Sequence, residues 1–125
     1  MFVIEQTRPA SSPIPGVAHA TWAGHADGLD QLSIWRQTLQ PGAATPPHRH
    51  DCDEVVLCLD GWGELHIGDT VQRFGADCSL VLPKGKDHQF FNTGPRPMEI
   101  IGIFGSSPVV TRLPDGSVLD LPWRS

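Results

Sequence analysis

Glycine and proline interrupt this chain so often that a long helix has nowhere to form: 13 Gly and 12 Pro stand among 125 residues. Nowhere does a capping box open a sustained apolar i, i+3, i+4 pattern. Apolar residues come instead in short runs, which predict strands over 19–23, 32–39, 54–59, 64–67, 70–74, 79–82, 88–92, 98–104, 109–113 and 117–121. Between them, Gly68-Asp69 suits a two-residue hairpin, and Pro114-Asp115-Gly116 suits a type I turn with a glycine bulge. Many short strands at this regular spacing predict an all-β sandwich or barrel. In 32–39 the alternation sets Trp35 and Gln37 opposite Arg36. An arginine is the residue least readily buried unpaired, so the Trp35 and Gln37 face turns inward.

A chain of 125 residues is the size of one domain, 1–125. Residues 1–18 read as an N-terminal arm or strand, with a Pro- and Ser-rich stretch over 7–16. Nine Lys and Arg against 14 Asp and Glu leave a net charge of −5, which argues against nucleic acid or anionic lipid as a partner. The longest apolar runs, 55–59 and 79–82, fall far short of a membrane span. Residues 1–17 lack the basic start and apolar stretch of a secretory signal, so a cytoplasmic protein is expected. Cys52, Cys58 and Cys78 are odd in number and without a Cys-x-x-Cys spacing, which reads as reduced, mostly buried thiols.

The chemistry concentrates between Gly42 and Asn92. His48 and His50, at i and i+2, project from the same face of a strand, as two ligands of one metal must. Glu54 lies four residues further on, roughly 13 Å along an unbroken strand at about 3.3 Å per residue, too far to share that metal. The chain must therefore bend at the turn-tolerant Asp51-Cys52-Asp53 and bring Glu54 back on a neighbouring strand. A second element, running from Pro83 through Gly85 into a strand that opens with His88, can supply a fourth ligand. Three neutral imidazoles and one carboxylate leave positions open in an octahedral shell, as a catalytic site requires. The opposing reading, a polar surface hairpin with unconnected histidines, leaves the coincidence of the two elements unexplained.

The spacing Gly42-x5-His48-x-His50-x3-Glu54-x6-Gly61, followed by Pro83-x-Gly85-x2-His88-x3-Asn92, resembles the two motifs of the cupin superfamily. At this composition the five fixed residues of the first motif would arise by chance with a probability of ~10⁻⁴ over the sequence. One departure stands out: Asp77 occupies a position where the family usually has glycine. The resemblance implies a cupin-type double-stranded β-helix, or jelly-roll, barrel with both motifs inside 42–92. It implies one divalent transition metal (iron, manganese, nickel, zinc or cobalt) held by His48, His50, Glu54 and His88, and it implies a homodimer. The apolar stretches 2–4 and 118–121, with Trp22 and Trp123, fit such an assembly.

Trp35, Gln37, Cys58 and Phe90 are the expected substrate-pocket residues, with Ile100 and Phe104 on a neighbouring strand. Lys84 and Lys86 read as a solvated turn, with a rim attracting anions as the sharper alternative. His19, His25 and His66 have no matching partner spacing and read as ordinary strand or loop histidines. The chain has no Tyr, which excludes the Cys–Tyr crosslink of thiol dioxygenases. A metal-dependent enzyme acting on a small organic molecule is the expected function, and oxidoreductase chemistry of the dioxygenase type is the favoured subclass. A redox-neutral isomerase, decarboxylase or lyase is one alternative, and a non-catalytic small-molecule or metal sensor another. No catalytic residue beyond the metal ligands is assigned.

Overall fold

The strands over 54–60, 79–82, 88–92 and 98–104 bury alternate side chains, as a period of two requires. In the computed structural model, residues 2–125 are described. Met1, which the expected 1–18 arm includes, lies outside the described residues. The strands are β1 (Ala10–Ser11), β2 (Val17–Ala23), β3 (Ser33–Leu39), β4 (Arg49–His50), β5 (Glu54–Asp60), β6 (Trp62–Ile67), β7 (Thr70–Gly75), β8 (Ser79–Leu82), β9 (His88–Asn92), β10 (Met98–Phe104) and β11 (Thr111–Arg112). One 3₁₀ turn, His25–Asp27, follows β2.

Six strands form an antiparallel sheet in the order β1-β2-β3-β10-β5-β8. Opposite it lie β7-β6-β9 and the pair β11-β4, which bridges at Ala44↔Phe91 and His48↔His88 join across β9. Neighbours distant in sequence, such as β3 with β10 and β5 with β8, make this an all-β jelly-roll barrel. Its inward side chains divide the interior. Toward one end Leu39, Cys58, Leu65, Phe74 and Met98 form an apolar cluster; toward the other, Trp35, Cys52 and Phe104 pack with Val109, Leu121 and Trp123. Leu39 and Met98 are completely buried. Full burial of a side chain of this kind is worth about 1.5–3 kcal/mol.

The strand expectations over 79–82, 88–92 and 98–104 match β8, β9 and β10 at both ends, and those for β2, β3, β5, β6 and β7 differ by one or two residues. The end of the chain departs further. Only Thr111–Arg112 of the expected 109–113 strand pairs, and 117–121 forms no strand, its single contact of this type being the bridge Arg112↔Val118. Prolines at 108, 114 and 122 remove ladder donors there, and the alternating leucines at 119 and 121 pack on the barrel end without a sheet neighbour. The Gly68-Asp69 hairpin forms as expected, with Ile67 opposite Thr70. No helix among the described residues is long and apolar enough to cross a membrane.

Asp77 resolves its own anomaly. It is the one non-glycine residue with positive φ, at 70°, among the described residues. The Asp77 N–H donates to the Cys58 carbonyl (3.2 Å), and the Cys58 N–H donates to the Cys78 carbonyl (3.1 Å), so two residues face one in a bulge. Aspartate tolerates the left-handed region better than most side chains, and the turn keeps the length that a glycine would have given it. Replacing Asp77 by Gly should relieve this strain and stabilise the fold by about 1 kcal/mol. The gain should appear as a higher urea midpoint with an unchanged slope; an unchanged or lower midpoint would mean that the Asp77 side chain makes a compensating contact.

Candidate metal centre

The site is assembled by one main-chain bridge and one bend. His48 and His88 exchange both backbone hydrogen bonds, N–H to carbonyl at 3.0 and 2.8 Å, which sets them directly opposite each other. The Gly85 N–H bonds the His50 carbonyl (3.0 Å) and ties the turn before β9 to β4. The chain then bends at Asp51-Cys52-Asp53, as the spacing of His50 and Glu54 demanded. The Asp53 carboxylate accepts from the Lys84 N–H (2.9 Å) and its carbonyl from the Gly105 N–H (3.0 Å), which pins the bend from two sides. Glu54 opens β5 and points inward beside Val56.

The imidazoles of His48, His50 and His88 offer ligand atoms that all lie within 4.8 Å of one another. Glu54 Oε1 sits 3.5 Å from His50 Nε2 and 3.4 Å from His88 Nε2. All four residues are buried. Each imidazole has its Nδ1 against a main-chain carbonyl: His48 on Pro46 (2.6 Å), His50 on Val110 (3.1 Å) and His88 on Lys86 (3.1 Å). A carbonyl can only accept, so each Nδ1 carries the proton and the Nε2 lone pairs are left for the interior. Outer hydrogen bonds of this kind orient metal-binding histidines.

Burial, followed by the neighbouring imidazoles, lowers the His48 pKa to about 4; burial, followed by His88, does the same for His50. Both rings are therefore neutral at pH 7. Glu54 Oε1 and His88 Nε2 face each other without a hydrogen-bond partner among the described residues. Two buried acceptors at 3.4 Å are costly unless a cation lies between them. The donor set, three imidazole nitrogens and a carboxylate oxygen, suits a divalent transition metal. The residues present fit such an ion.

Beside the cluster lies a cavity of about 40 Å³, walled largely by apolar side chains. Trp35, Gln37 and Phe90 line it, as the alternation led one to expect. Cys58 does not. It sits two residues beyond Val56 on β5, opposite Ile100, in the apolar cluster at the other end. Its thiol faces the Asp60 carbonyl at 3.6 Å, and burial pushes its pKa up. Parity placed Cys58 inside the barrel, but depth along the strand put it past the cavity. Lys84 and Lys86 are exposed and do not line the cavity, and His25 and His66 also lie away from it.

Sequence reasoning missed His19 and Trp123. The His19 ring stacks on Trp123 (centroids 3.6 Å, planes 9° apart) and stands edge-on to Trp35 at 5.1 Å. His19 Nδ1 is 3.0 Å from Gln37 Nε2, its cross-strand partner, and burial lowers its pKa to about 4. The pairing of β2 with β3 was the available signal, since it sets His19 opposite Gln37. Trp123, counted in the sequence only among the apolar residues fitting a dimer, lines the cavity together with Leu119 and Leu121.

Residues 35–104 match the model of the family described as Cupin domain. The chain is 34% identical to auxin-binding protein 1 of Arabidopsis thaliana over 105 residues, covering 76% of this chain and 53% of that protein. It is 33% identical to putative germin-like protein 9-2 of Oryza sativa subsp. japonica over 116 residues, covering 84% and 54%. The chain thus spans about half the length of the curated relatives it matches. Among solved structures, oxalate oxidase in complex with the substrate analogue glycolate superposes with a TM-score of 0.73 at 24% identity, covering 84% of this chain and 59% of that one. The polyketide cyclase RemF from Streptomyces resistomycificus superposes with a TM-score of 0.70 at 17% identity, covering 100% and 84%. The structural matches are likenesses of fold.

Two outcomes are expected. The double substitution His48→Ala with His50→Ala should abolish bound metal in elemental analysis, and a chelator should lower the melting temperature of the metal-loaded parent; stoichiometric metal in the double variant would refute the ligand assignment. The metal-free protein should lose stability as pH falls from about 6.5 to about 4. Across that window the unfolded chain binds protons on His19, His48 and His50 that the folded chain refuses, so stability rises with pH. A flat melting temperature over this range would contradict the burial of neutral rings.

Proposed function

The chain belongs to the cupin family, and from that premise we propose that it is a metal-dependent enzyme that takes a small organic anion into its cavity and oxidises it with consumption of dioxygen. One observation carries the reading: a buried three-histidine, one-glutamate cluster opens onto an apolar cavity whose lining holds no titratable side chain apart from the ligands themselves, among the described residues.

The charge of that cluster selects the ligand. Three imidazole nitrogens and one carboxylate would leave a bound divalent ion a net charge of about +1 in a poorly solvated setting, which favours an anionic oxygen. Cavity size narrows the choice. A buried water needs roughly 10–15 Å³ of such space, so about 40 Å³ holds an acid of only a few heavy atoms. Glycolate, the analogue bound by the structurally similar oxalate oxidase, is of that size class.

The cavity lining supports oxidation over its redox-neutral rivals. Isomerases, decarboxylases and lyases of the usual kind depend on a side chain that takes up or delivers a proton. Here the polar side chains on the wall are Gln37, Thr45 and Thr111. Thr45 accepts the Phe90 N–H, Thr111 lies 3.3 Å from His50 Nδ1, and Gln37 is bonded to His19. None of them is a general acid or base. A bound transition metal would supply a positive pole and, when redox-active, electron exchange with dioxygen. The protein's own share is to hold neutral Nε2 lone pairs toward the ion, to keep water out with Trp35, Phe90 and Phe104, and to position the acid against Gln37.

A second reading, ligand binding without turnover, draws on the 34% identity to a protein named for binding auxin. Two measurements decide between them. Iron-, manganese- or nickel-loaded protein supplied with two- and three-carbon hydroxy or oxo acids should consume dioxygen, and the zinc form should bind the acid, as a rise in melting temperature, without turnover. Full activity of the zinc form under anaerobic conditions would reject oxygenation. Binding with no turnover in any metal form would establish the second reading.

A further inference from the structure

Most residues that line the metal cavity belong to strands tied into sheets, and the C-terminal segment does not. Leu119, Leu121 and Trp123 close it from a segment that has left the sheets after the bridge Arg112↔Val118. Alternation turns these three toward the cavity and leaves Val118, Asp120, Pro122 and Arg124 exposed. The anchors lie at the ends of the segment. The Leu119 N–H donates to the Thr111 carbonyl (2.8 Å), the Val109 N–H donates to the Ser125 carbonyl, and the Trp35 indole N–H donates to Ser125 Oγ. Among the described residues, no main-chain hydrogen bond ties residues 120–124 to the barrel. A groove of about 400 Å³ separates the segment from residues 108–111 and leaves it room to shift.

Side chains hold the segment down. The Trp123 indole stacks on His19 and meets Trp35 edge-on at 5.7 Å. This latch is incomplete, because the Trp123 Nε1–H is buried without an acceptor among the described residues. A buried unsatisfied donor offsets part of what the stacking contributes.

We propose that residues 119–123 form a displaceable wall of the metal cavity, and that Trp123 is the specificity-determining residue that sets the largest acid the cavity admits. The inference rests on the acid-binding reading above. With the indole seated on His19, the space beside the ligands accepts two- and three-carbon aliphatic acids. An arylacetic acid needs the volume the indole fills, so its ring enters only if the stack on His19 breaks. Loss of the indole should therefore change selectivity between acids by size.

The test uses cobalt-loaded protein, with glycolate and phenylacetate titrated separately and the visible absorption of the cobalt as readout. In the parent, glycolate should perturb the spectrum at concentrations at least about tenfold below those phenylacetate needs, the scale that a filled pocket imposes on an oversized ligand. In Trp123→Ala the ratio of the two affinities should move by at least about tenfold toward phenylacetate. Trp123→Leu, which keeps apolar bulk, should move it in the same direction and serves if the alanine variant fails to fold. An unchanged ratio in a folded variant, with glycolate still bound, overturns this inference alone. A parent that admits phenylacetate as readily as glycolate overturns it too. If neither acid perturbs the cobalt spectrum in parent or variant, the acid-binding reading fails and this inference with it.

Discussion

Four electron-pair donors buried against one another are unstable without a cation, and much of this barrel is arranged around that constraint. Glu54 Oε1 stands within 3.5 Å of two imidazole nitrogens that carry no proton of their own. The protein sets this up with main-chain atoms: the carbonyls of Pro46, Lys86 and Val110 each accept a hydrogen bond from an Nδ1–H and so leave an Nε2 lone pair turned inward. The histidine backbones are held in turn by the His48–His88 bridge, the Gly85 bond to His50 and the pinned bend at Asp53. Local backbone geometry, fixed by sheet hydrogen bonds, thereby dictates the tautomer of every histidine in the site.

The same interior serves two incompatible demands by separating them along the strands. β5 shows the division most plainly: Glu54 joins the histidine cluster, Val56 is a cavity wall and Cys58 lies past it, three inward positions on one strand. β9 repeats it with His88, Phe90 and Asn92, whose side-chain amide donates to the Leu39 carbonyl and stitches β9 to the end of β3. Burial of Leu39, Met98 and their neighbours offsets the desolvation of the polar groups in the histidine cluster.

A barrel strand tells a reader which side chains face inward but not how far down the interior they sit. That is why parity found Trp35, Gln37 and Phe90 at the cavity and also nominated Cys58, which lies past it. It is also why His19 went unrecognised. Its importance comes from facing Gln37 across the β2–β3 pairing and from supporting Trp123, a residue 104 positions away in the chain. Residues 117–121 misled for a related reason: their alternation is real, but it fits a segment packed on a barrel end as well as it fits a strand.

Turn chemistry and spacing are local, so the all-β class, the two motifs and the grouping of His48, His50, Glu54 and His88 were legible in the sequence by itself. The distance from His50 to Glu54 even required the bend at Asp51-Cys52-Asp53 that the structure shows. Asp77 was visible in the sequence only as a departure from the usual glycine, and its left-handed conformation in the bulge opposite Cys58 came from the structure. Depth, closure and access were decided only by the tertiary structure. The cavity's volume, the removal of Cys58 from it and its closure by Leu119, Leu121 and Trp123 all depend on contacts between segments far apart in the chain. Such contacts leave no periodic trace in sequence, because they arise where two surfaces happen to meet rather than from the repeat of either one.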